Sequence, residues 1–244
     1  MKYALLMCGQ PRTMEFCFPS LKKHILDVYH PDVFLCSDEQ EERLRELFNP
    51  MRIDIHSQEK IDAEVAELRA GYTNQPGDGL VAKDLSIAWK VWRANQMKRE
   101  IEAEFGFRYD TVMISRFDVK FKSIPDIGKA EENTIYVPRV GAYWNSPPDE
   151  QGIHWHGYSA HLYWMSSKVA DGVAGIYFEG EDNFNIARQV ADWGYIPEHV
   201  LKNYCDRHGI LAQLVDIEMM LIRGTSEAPL SFHHHPLSEY PEYL

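Results

Sequence analysis

Two short polar segments in the sequence combine an arginine with other groups that bind anions or metal ions. Residues 9–13, Gly-Gln-Pro-Arg-Thr, come directly after an apolar run over residues 3–8, and residues 115–118, Ser-Arg-Phe-Asp, follow another over residues 109–114. A guanidinium can hold a phosphate through two parallel hydrogen bonds. A carboxylate such as Asp118 is a hard oxygen ligand of the type that magnesium and manganese prefer. These residue types indicate a site for a small phosphorylated ligand.

Each segment also has a plainer interpretation. Arg12 can be a solvated side chain in a tight turn, and Arg116 and Asp118 can form a surface ion pair. The sequence contains neither a Gly-x-Gly-x-x-Gly fingerprint nor a Gly-Lys-Ser/Thr phosphate loop. Dinucleotide-dependent oxidoreductases and Walker-type ATPases are therefore disfavoured as functional classes.

The apolar runs before the two segments are typical of buried strands in an α/β sheet. Residues 3–8 and 32–36 are apolar runs of strand length, and residues 16–28 between them carry apolar side chains at helical spacing. A strand, a helix and a second strand in this order favour parallel pairing with a right-handed crossover. Ligands of such sheets bind beyond the carboxyl ends of the strands, which is where Arg12 and Arg116 are expected.

The rest of the pattern predicts further elements and no linker between domains. Helices are predicted over residues 38–48, 59–70, 80–105, 168–177, 184–193 and 197–208, and strands over residues 53–56, 109–114, 119–121, 135–138, 159–165 and 214–223. Segments 71–79 and 141–157, rich in Gly and Pro, are predicted loops. Trp89 and Trp92 have helical spacing and are expected in the core.

The charge of the chain limits its partners. The 244 residues include 25 Lys and Arg against 37 Asp and Glu, a net charge of −12, part of which lies in the predicted helices over residues 38–48 and 59–70. A field of this sign repels phosphate backbones and anionic lipids, which argues against a general nucleic-acid or membrane-surface binder. No run approaches the roughly 20 apolar residues that span a bilayer, and no secretory signal is recognised. We expect a soluble, cytoplasmic protein with free cysteines, since no Cys-x-x-Cys spacing occurs.

The chain resembles viral and bacterial glycan-assembly proteins of the GT-A glycosyltransferase type. The resemblance is carried by residues 3–13, 31–35 and 109–119. In that family a Gly-Gln-x-Arg loop follows the first strand, and an Arg-x-Asp sequence follows a Tyr-Asp-x-hydrophobic strand. The resemblance implies a GT-A, Rossmann-like α/β fold with a mostly parallel central sheet flanked by helices. It implies a single domain, with a nucleotide-binding half over roughly residues 1–122 and an acceptor-binding half over residues 123–244.

The implied activity is the transfer of a hexosyl or deoxyhexosyl group from a nucleotide-diphosphate sugar to a hydroxyl of a glycan acceptor. The resemblance implies that the nucleotide-diphosphate sugar is bound by Gly9, Gln10, Pro11, Arg12, Thr13, Asp38, Arg116 and Asp118. It also implies a manganese or magnesium ion held by Asp118 and by His233 or His235. Because the usual Asp-x-Asp motif is reduced here to one carboxylate, strict metal dependence stays open, and Arg116 could replace part of the cation's charge.

The catalytic base implied by the resemblance is Asp182, with Glu181 as the second candidate. These residues stand where GT-A enzymes carry an x-Glu-Asp motif at the start of a helix beneath the acceptor. A carboxylate there could remove the proton of the acceptor hydroxyl in an inverting reaction. The plainer interpretation is that acidic residues are favoured in any first helical turn.

Aromatic and imidazole side chains in the second half suggest contacts with sugars. Tyr143, Trp144, Trp155 and His156 are the predicted acceptor-binding residues, since aromatic faces stack on sugar rings. Two alternatives stay open. One is a zinc-dependent hydrolase that uses His154, His156 and the histidines at 233–235. The other is a non-catalytic module that binds a nucleotide or a carbohydrate.

Overall fold

The computed structural model describes residues 1–66, 78–138, 161–176, 178–179 and 197–222. The strands in these ranges are β1 (Tyr3–Cys8), β2 (Asp32–Ser37), β3 (Arg52–Ile55), β4 (Thr111–Arg116), β5 (Val119–Ser123), β6 (Thr134–Pro138), β7 (Leu162–Met165), β8 (Leu211–Val215) and β9 (Glu218–Leu221). The helices are α1 (Met14–Leu21), α2 (Asp27–Tyr29), α3 (Glu41–Phe48), α4 (Gln58–Glu64), α5 (Asp78–Phe105), α6 (Ser167–Ala174) and α7 (Pro197–His208). A π-helical segment, Lys22–Leu26, joins α1 to α2.

The centre of the fold is a 7-stranded sheet in the order β3-β2-β1-β4-β7-β6-β8. Strand β1 pairs in parallel with β2 and β4, β2 with β3, and β6 with β8, whereas β7 runs antiparallel to β4 and β6. A separate ribbon pairs β5 with β9. The predicted α/β class, with a mostly parallel central sheet flanked by helices, is confirmed, and it is consistent with the GT-A fold.

Both faces of the sheet are buried, which explains why the central strands are continuous apolar runs. Along β1, Ala4, Leu6 and Cys8 belong to one apolar cluster, and Leu5 and Met7 belong to a second one on the opposite face. Helices α4, α5, α6 and α7 cover the first cluster, and α1 and α3 cover the second. The alternation of side chains along a strand thus places one helical layer on each face.

Most predicted element types are confirmed, and the differences have identifiable causes. The segment predicted as one strand over residues 214–223 contributes to two strands, because β8 pairs with β6 and β9 pairs with β5. The predicted helix over residues 16–28 is interrupted by the π-helical segment, which follows Pro19, a residue without a backbone donor. Trp89 is buried as predicted, whereas Trp92 is half-buried and donates from its indole nitrogen to Glu179.

Several sequence predictions lie wholly or mainly outside the described residues. They are the loops at 71–79 and 141–157 and the helix at 184–193. All four cysteines are described, and they are free and buried as expected. Within the described ranges no helix is long and apolar enough to cross a membrane.

Candidate functional site

The order of the strands reverses at the carboxyl ends of β1 and β4. The chain runs from β1 to β2 and β3 on one side and then places β4 on the other side of β1. Helix α1, after β1, covers one face, and α5, before β4, covers the other. In open α/β sheets such a reversal of strand order opens a ligand crevice beyond the carboxyl ends of the strands. The two polar segments singled out in the sequence both lie at this edge.

The loop after β1 begins with a glycine whose backbone is unusual. Gly9 has a φ of 119°, a conformation that residues with a Cβ rarely adopt. Its N–H donates to the carbonyl of Cys36 over 3.4 Å, and Ser37 Oγ donates to its carbonyl over 3.1 Å. Both contacts tie the loop to the end of β2. Glycine at this position therefore turns the chain sharply out of the sheet towards α1.

A buried ion pair lies beside this loop. Gln10 Nε2 donates to Asp38 Oδ2 over 3.0 Å, and Lys90 Nζ lies 3.2 Å from the same oxygen. The side chains of Lys90 and Asp38 are only 2% and 8% exposed. Asp38 Oδ1 is buried and accepts no hydrogen bond from the part of the chain that is described. An acceptor of this kind is available to a donor group of a ligand.

The structure brings together Gln10 and Asp38, which were predicted to share a site, and adds Lys90. This lysine projects from the middle of α5, next to Trp89 and Val91. In the sequence, Lys90 is a charged residue among apolar residues at helical spacing, and this feature could have identified it. It did not reveal the partner, because pairing between α5 and the end of β2 depends on tertiary structure.

Arg12 lies exposed just before α1. Among the described residues it makes neither an ion pair nor a side-chain hydrogen bond. Thr13 precedes the first residue of α1 but does not cap the helix, since its Oγ1 donates instead to the carbonyl of Ile222 over 2.9 Å. The N–H groups of Met14 and Phe16 in the first turn donate to the carbonyls of Pro11 and Thr13, and the dipole of α1 favours negative charge at this end.

Arg116 and Asp118 form the ion pair that was the plainer interpretation of their sequence. Arg116 Nε donates to Oδ1 of Asp118 over 2.8 Å, and a second guanidinium nitrogen donates to Oδ2 over 2.6 Å. The side chains are 27% and 16% exposed. Arg116 is the last residue of β4, and its Cα lies opposite that of Cys8 in β1. The pair therefore stands next to the loop that carries Arg12.

The backbone of Ile222 holds the two segments together. Its carbonyl accepts from Thr13 Oγ1, and its N–H donates to the carbonyl of Asp118 over 2.8 Å. Ile222 follows β9 directly, so the small ribbon of β5 and β9 anchors this edge of the crevice. The loop after β1 and the loop after β4 are thus joined through one residue.

The thiols near the crevice are poorly suited to nucleophilic chemistry. Burial raises the pKa of Cys17 to about 11, although a hydrogen bond with Thr13 partly opposes this. Burial likewise raises the pKa of Cys36 to about 12. A thiol reacts as the thiolate, so these cysteines are protonated and unreactive near neutral pH.

A second polar cluster, not anticipated from the sequence, lies at the end of β3. His56 Nε2 lies 2.7 Å from Asp54 Oδ1, and Arg93 Nε donates to Asp54 Oδ2 over 2.6 Å. Burial raises the pKa of Asp54, but Arg93 and His56 outweigh it, so the net direction is downward. The imidazole of His56 also meets the ring of Trp89 edge to face. The cluster joins β3 to α5.

The described residues do not fit the divalent-metal site implied by the resemblance. Both oxygens of Asp118 already accept from a guanidinium. No group of three His, Cys, Asp or Glu side chains in the described ranges could hold a metal ion. The other predicted ligands, His233 and His235, lie outside those ranges.

The remaining predicted site residues also lie outside the described part of the chain. These are the candidate bases Glu181 and Asp182, the predicted acceptor-binding residues Tyr143, Trp144, Trp155 and His156, and His154 of the zinc alternative. Their roles stay predictions.

No protein-family model matches the chain, and no curated protein sequence matches it. Among solved structures, the chain is similar to the crystal structure of mouse xyloside xylosyltransferase 1 in its apo form. That match has 13% sequence identity and a TM-score of 0.49, and it covers 88% of this chain and 85% of the mouse chain.

Proposed function

We propose that this chain is a glycosyltransferase of the GT-A type that binds a nucleotide-diphosphate sugar in the crevice at the carboxyl ends of β1 and β4. The observation that carries the proposal is Arg12, an exposed cation without a partner in the described part of the chain, beside the N-terminus of α1. This cation lies at the point where the strand order reverses. A small anion is the ligand that such a position favours.

The diphosphate is the part of the donor that this edge suits best. Arg12 can supply a two-pronged contact to phosphate oxygens, and the dipole of α1 favours negative charge in the same region. As the glycosidic bond breaks, negative charge develops on the leaving diphosphate, and fixed positive groups stabilise that charge. The overall charge of −12 does not prevent diphosphate binding. The net charge repels large polyanions, whereas a small ligand responds mainly to the charges of the residues next to it.

The polar groups at the end of β2 suit the nucleoside part of the donor. Asp38 Oδ1 is a buried acceptor without a partner in the described ranges, and it stands next to Gln10 in the loop after β1. A hydroxyl or N–H group of the nucleoside could donate a hydrogen bond to this oxygen. We assign Gly9 the role of turning the loop so that Gln10 and Arg12 face one ligand.

The acceptor side of the proposal rests on the order of residues in the sequence and on the family resemblance. Asp182, with Glu181 as the alternative, would take the proton of the acceptor hydroxyl as it attacks the anomeric carbon. Tyr143, Trp144, Trp155 and His156 would bind the glycan acceptor by stacking and hydrogen bonding.

A thermal-shift screen tests the proposal. The protein is heated with UDP-, GDP- and CMP-sugars, each with and without manganese. A ligand at about 100 times its Kd adds about 2.7 kcal/mol to the free energy of unfolding, which raises Tm measurably. No shift with any nucleotide sugar contradicts the proposal. A shift without transfer to any glycan acceptor supports the non-catalytic binding module instead.

A further inference from the structure

We propose that Arg116 itself supplies the positive charge at the end of β4, so that the donor's diphosphate is bound there without a divalent ion at Asp118. The inference rests on the proposed function, and it differs from what the resemblance implies, a manganese or magnesium ion at this position. It follows from the contacts of Arg116 and Asp118 and from the chemistry of the two groups.

The geometry of the pair leaves little room for a cation. Two nitrogens of the guanidinium approach the two oxygens of the Asp118 carboxylate at 2.8 and 2.6 Å. A metal ion at Asp118 would have to replace one of these contacts or lie directly beside a fixed positive charge. Like charges at such short range repel strongly when partly buried, and these side chains are 27% and 16% exposed.

The pair is also held in place from both sides. The backbone N–H of Arg116 donates to the carbonyl of His161 over 3.4 Å, and the carbonyl of Asp118 accepts from Ile222 over 2.8 Å. Strand β4 is buried between β1 and β7. A guanidinium fixed in this way needs little reorganisation when an anion arrives, which favours binding.

The charges balance without a metal. A dicarboxylate motif with one divalent cation is neutral overall, and so is one arginine with one aspartate. Arginine has five N–H donors, and Asp118 engages two of its nitrogens, so donors are left for phosphate oxygens. Arg12, which has no partner in the described ranges, adds the net positive charge that a diphosphate requires.

Calorimetric titration with UDP, and in parallel with GDP, tests the inference on the wild-type protein in EDTA and in excess manganese. We expect the Kd of the nucleotide that binds to differ by less than about threefold between the two buffers. Binding that is more than about tenfold tighter with manganese overturns the inference and leaves the proposed function intact. Absence of binding in both buffers overturns the proposed function, and the inference with it.

A substitution that restores the dicarboxylate gives the converse test. Arg116→Asp creates an Asp-x-Asp sequence, so we expect nucleotide affinity to fall by about tenfold or more in EDTA and to recover with manganese. We also expect Arg116→Asp, but not the wild-type protein, to bind manganese alone. Equal manganese binding by both proteins contradicts the inference.

A conservative variant guards against a simple folding defect. Arg116→Lys keeps the charge but loses the planar fork, so we expect an intermediate affinity that is again independent of manganese. Circular dichroism establishes that each variant is folded before it is titrated. Metal-dependent binding by Arg116→Lys would show that the positive charge does not replace the cation.

Discussion

Lys90 Nζ lies 3.2 Å from Asp38 Oδ2, and both side chains are almost completely buried. The contact joins the middle of α5 to the end of β2 at the edge of the candidate nucleotide site. Removing two charges from water is costly, and their mutual attraction offsets that cost only while both are present. Replacing one partner should therefore destabilise the protein, whereas replacing both should restore much of the lost stability.

Lys90→Met should destabilise the protein by about 3–5 kcal/mol, because it leaves the Asp38 carboxylate buried without a cation. Urea unfolding measures the change in the free energy of unfolding. The double variant Lys90→Met with Asp38→Asn should recover a large part of the loss, since no buried charge remains. Additive effects of the two substitutions would show that the groups do not interact.

Arg12→Ala should weaken nucleotide binding by roughly 10- to 100-fold, the effect of losing a charged hydrogen bond worth about 1.5–3 kcal/mol. Its effect on the free energy of unfolding should stay within about 0.5 kcal/mol, since Arg12 is exposed. Titration calorimetry with UDP and GDP measures the affinity.

Arg52→Ala is the matched control for Arg12→Ala. Arg52 is also exposed, but it is the first residue of β3. It therefore lies at the amino ends of the parallel strands, opposite the carboxyl ends near which Arg12 lies. The two substitutions remove the same charge. If Arg52→Ala weakens nucleotide binding as much as Arg12→Ala does, the effect comes from net charge and the loop after β1 is only a turn.

Asp171 should make stability depend on pH. Burial raises its pKa, but the Lys98 charge and hydrogen bonds from Lys98, Arg108 and Asn95 outweigh this and lower it below the usual value of 3.8. A carboxylate with a lowered pKa adds stability above its unfolded pKa, and that stability is lost as the pH falls through the folded pKa. The difference in unfolding free energy between the wild-type protein and Asp171→Asn should therefore be largest near neutral pH and shrink below about pH 4.

Urea unfolding at a series of pH values measures this difference. Asp27→Asn is a suitable control, because Asp27 forms an exposed ion pair with Lys22, and such pairs contribute little. A difference for Asp171→Asn that stays constant through the acidic range would contradict the prediction.

Gly172→Ala should destabilise the protein, and removal of the Tyr204 hydroxyl group should relieve most of this destabilisation. An added Cβ at this position of α6 would overlap the hydroxyl group of Tyr204 in α7. Overpacking of this kind costs about 1–3 kcal/mol, against a gain of about 1 kcal/mol from alanine in a helix. In a Tyr204→Phe background, Gly172→Ala should be markedly less destabilising, as thermal unfolding can measure. An unchanged penalty would show that the hydroxyl is not the obstacle.

The central sheet could be predicted because its strands are short apolar runs with clear ends. The run over residues 3–8 and its neighbour over residues 32–36 each precede a polar segment, and parallel pairing followed from the helical spacing between them. The placement of Gln10, Arg12 and Arg116 at one edge followed from the same rule. Hydrophobic periodicity, together with the rule that ligands bind beyond the carboxyl ends of parallel strands, was sufficient to predict this part of the fold.

The partners of individual side chains could not be predicted, since they depend on which distant segments meet. Nothing local links Lys90 to Asp38, or Thr13 to Ile222. The ion pair of Arg116 and Asp118 is the exception, because the two residues are only two positions apart, and it was foreseen as the plainer interpretation. The predicted strand over residues 214–223 failed for a similar reason, since two different sheets share that segment.

The hydrogen bond from Thr13 to the carbonyl of Ile222 joins residues 209 positions apart. A contact of such sequence separation closes a very long loop of the chain. During synthesis, β1 and α1 leave the ribosome long before Ile222 does. The contact that joins the loop after β1 to the segment after β9 can therefore form only once Ile222 has emerged, well after β1, α1 and β4 have been made.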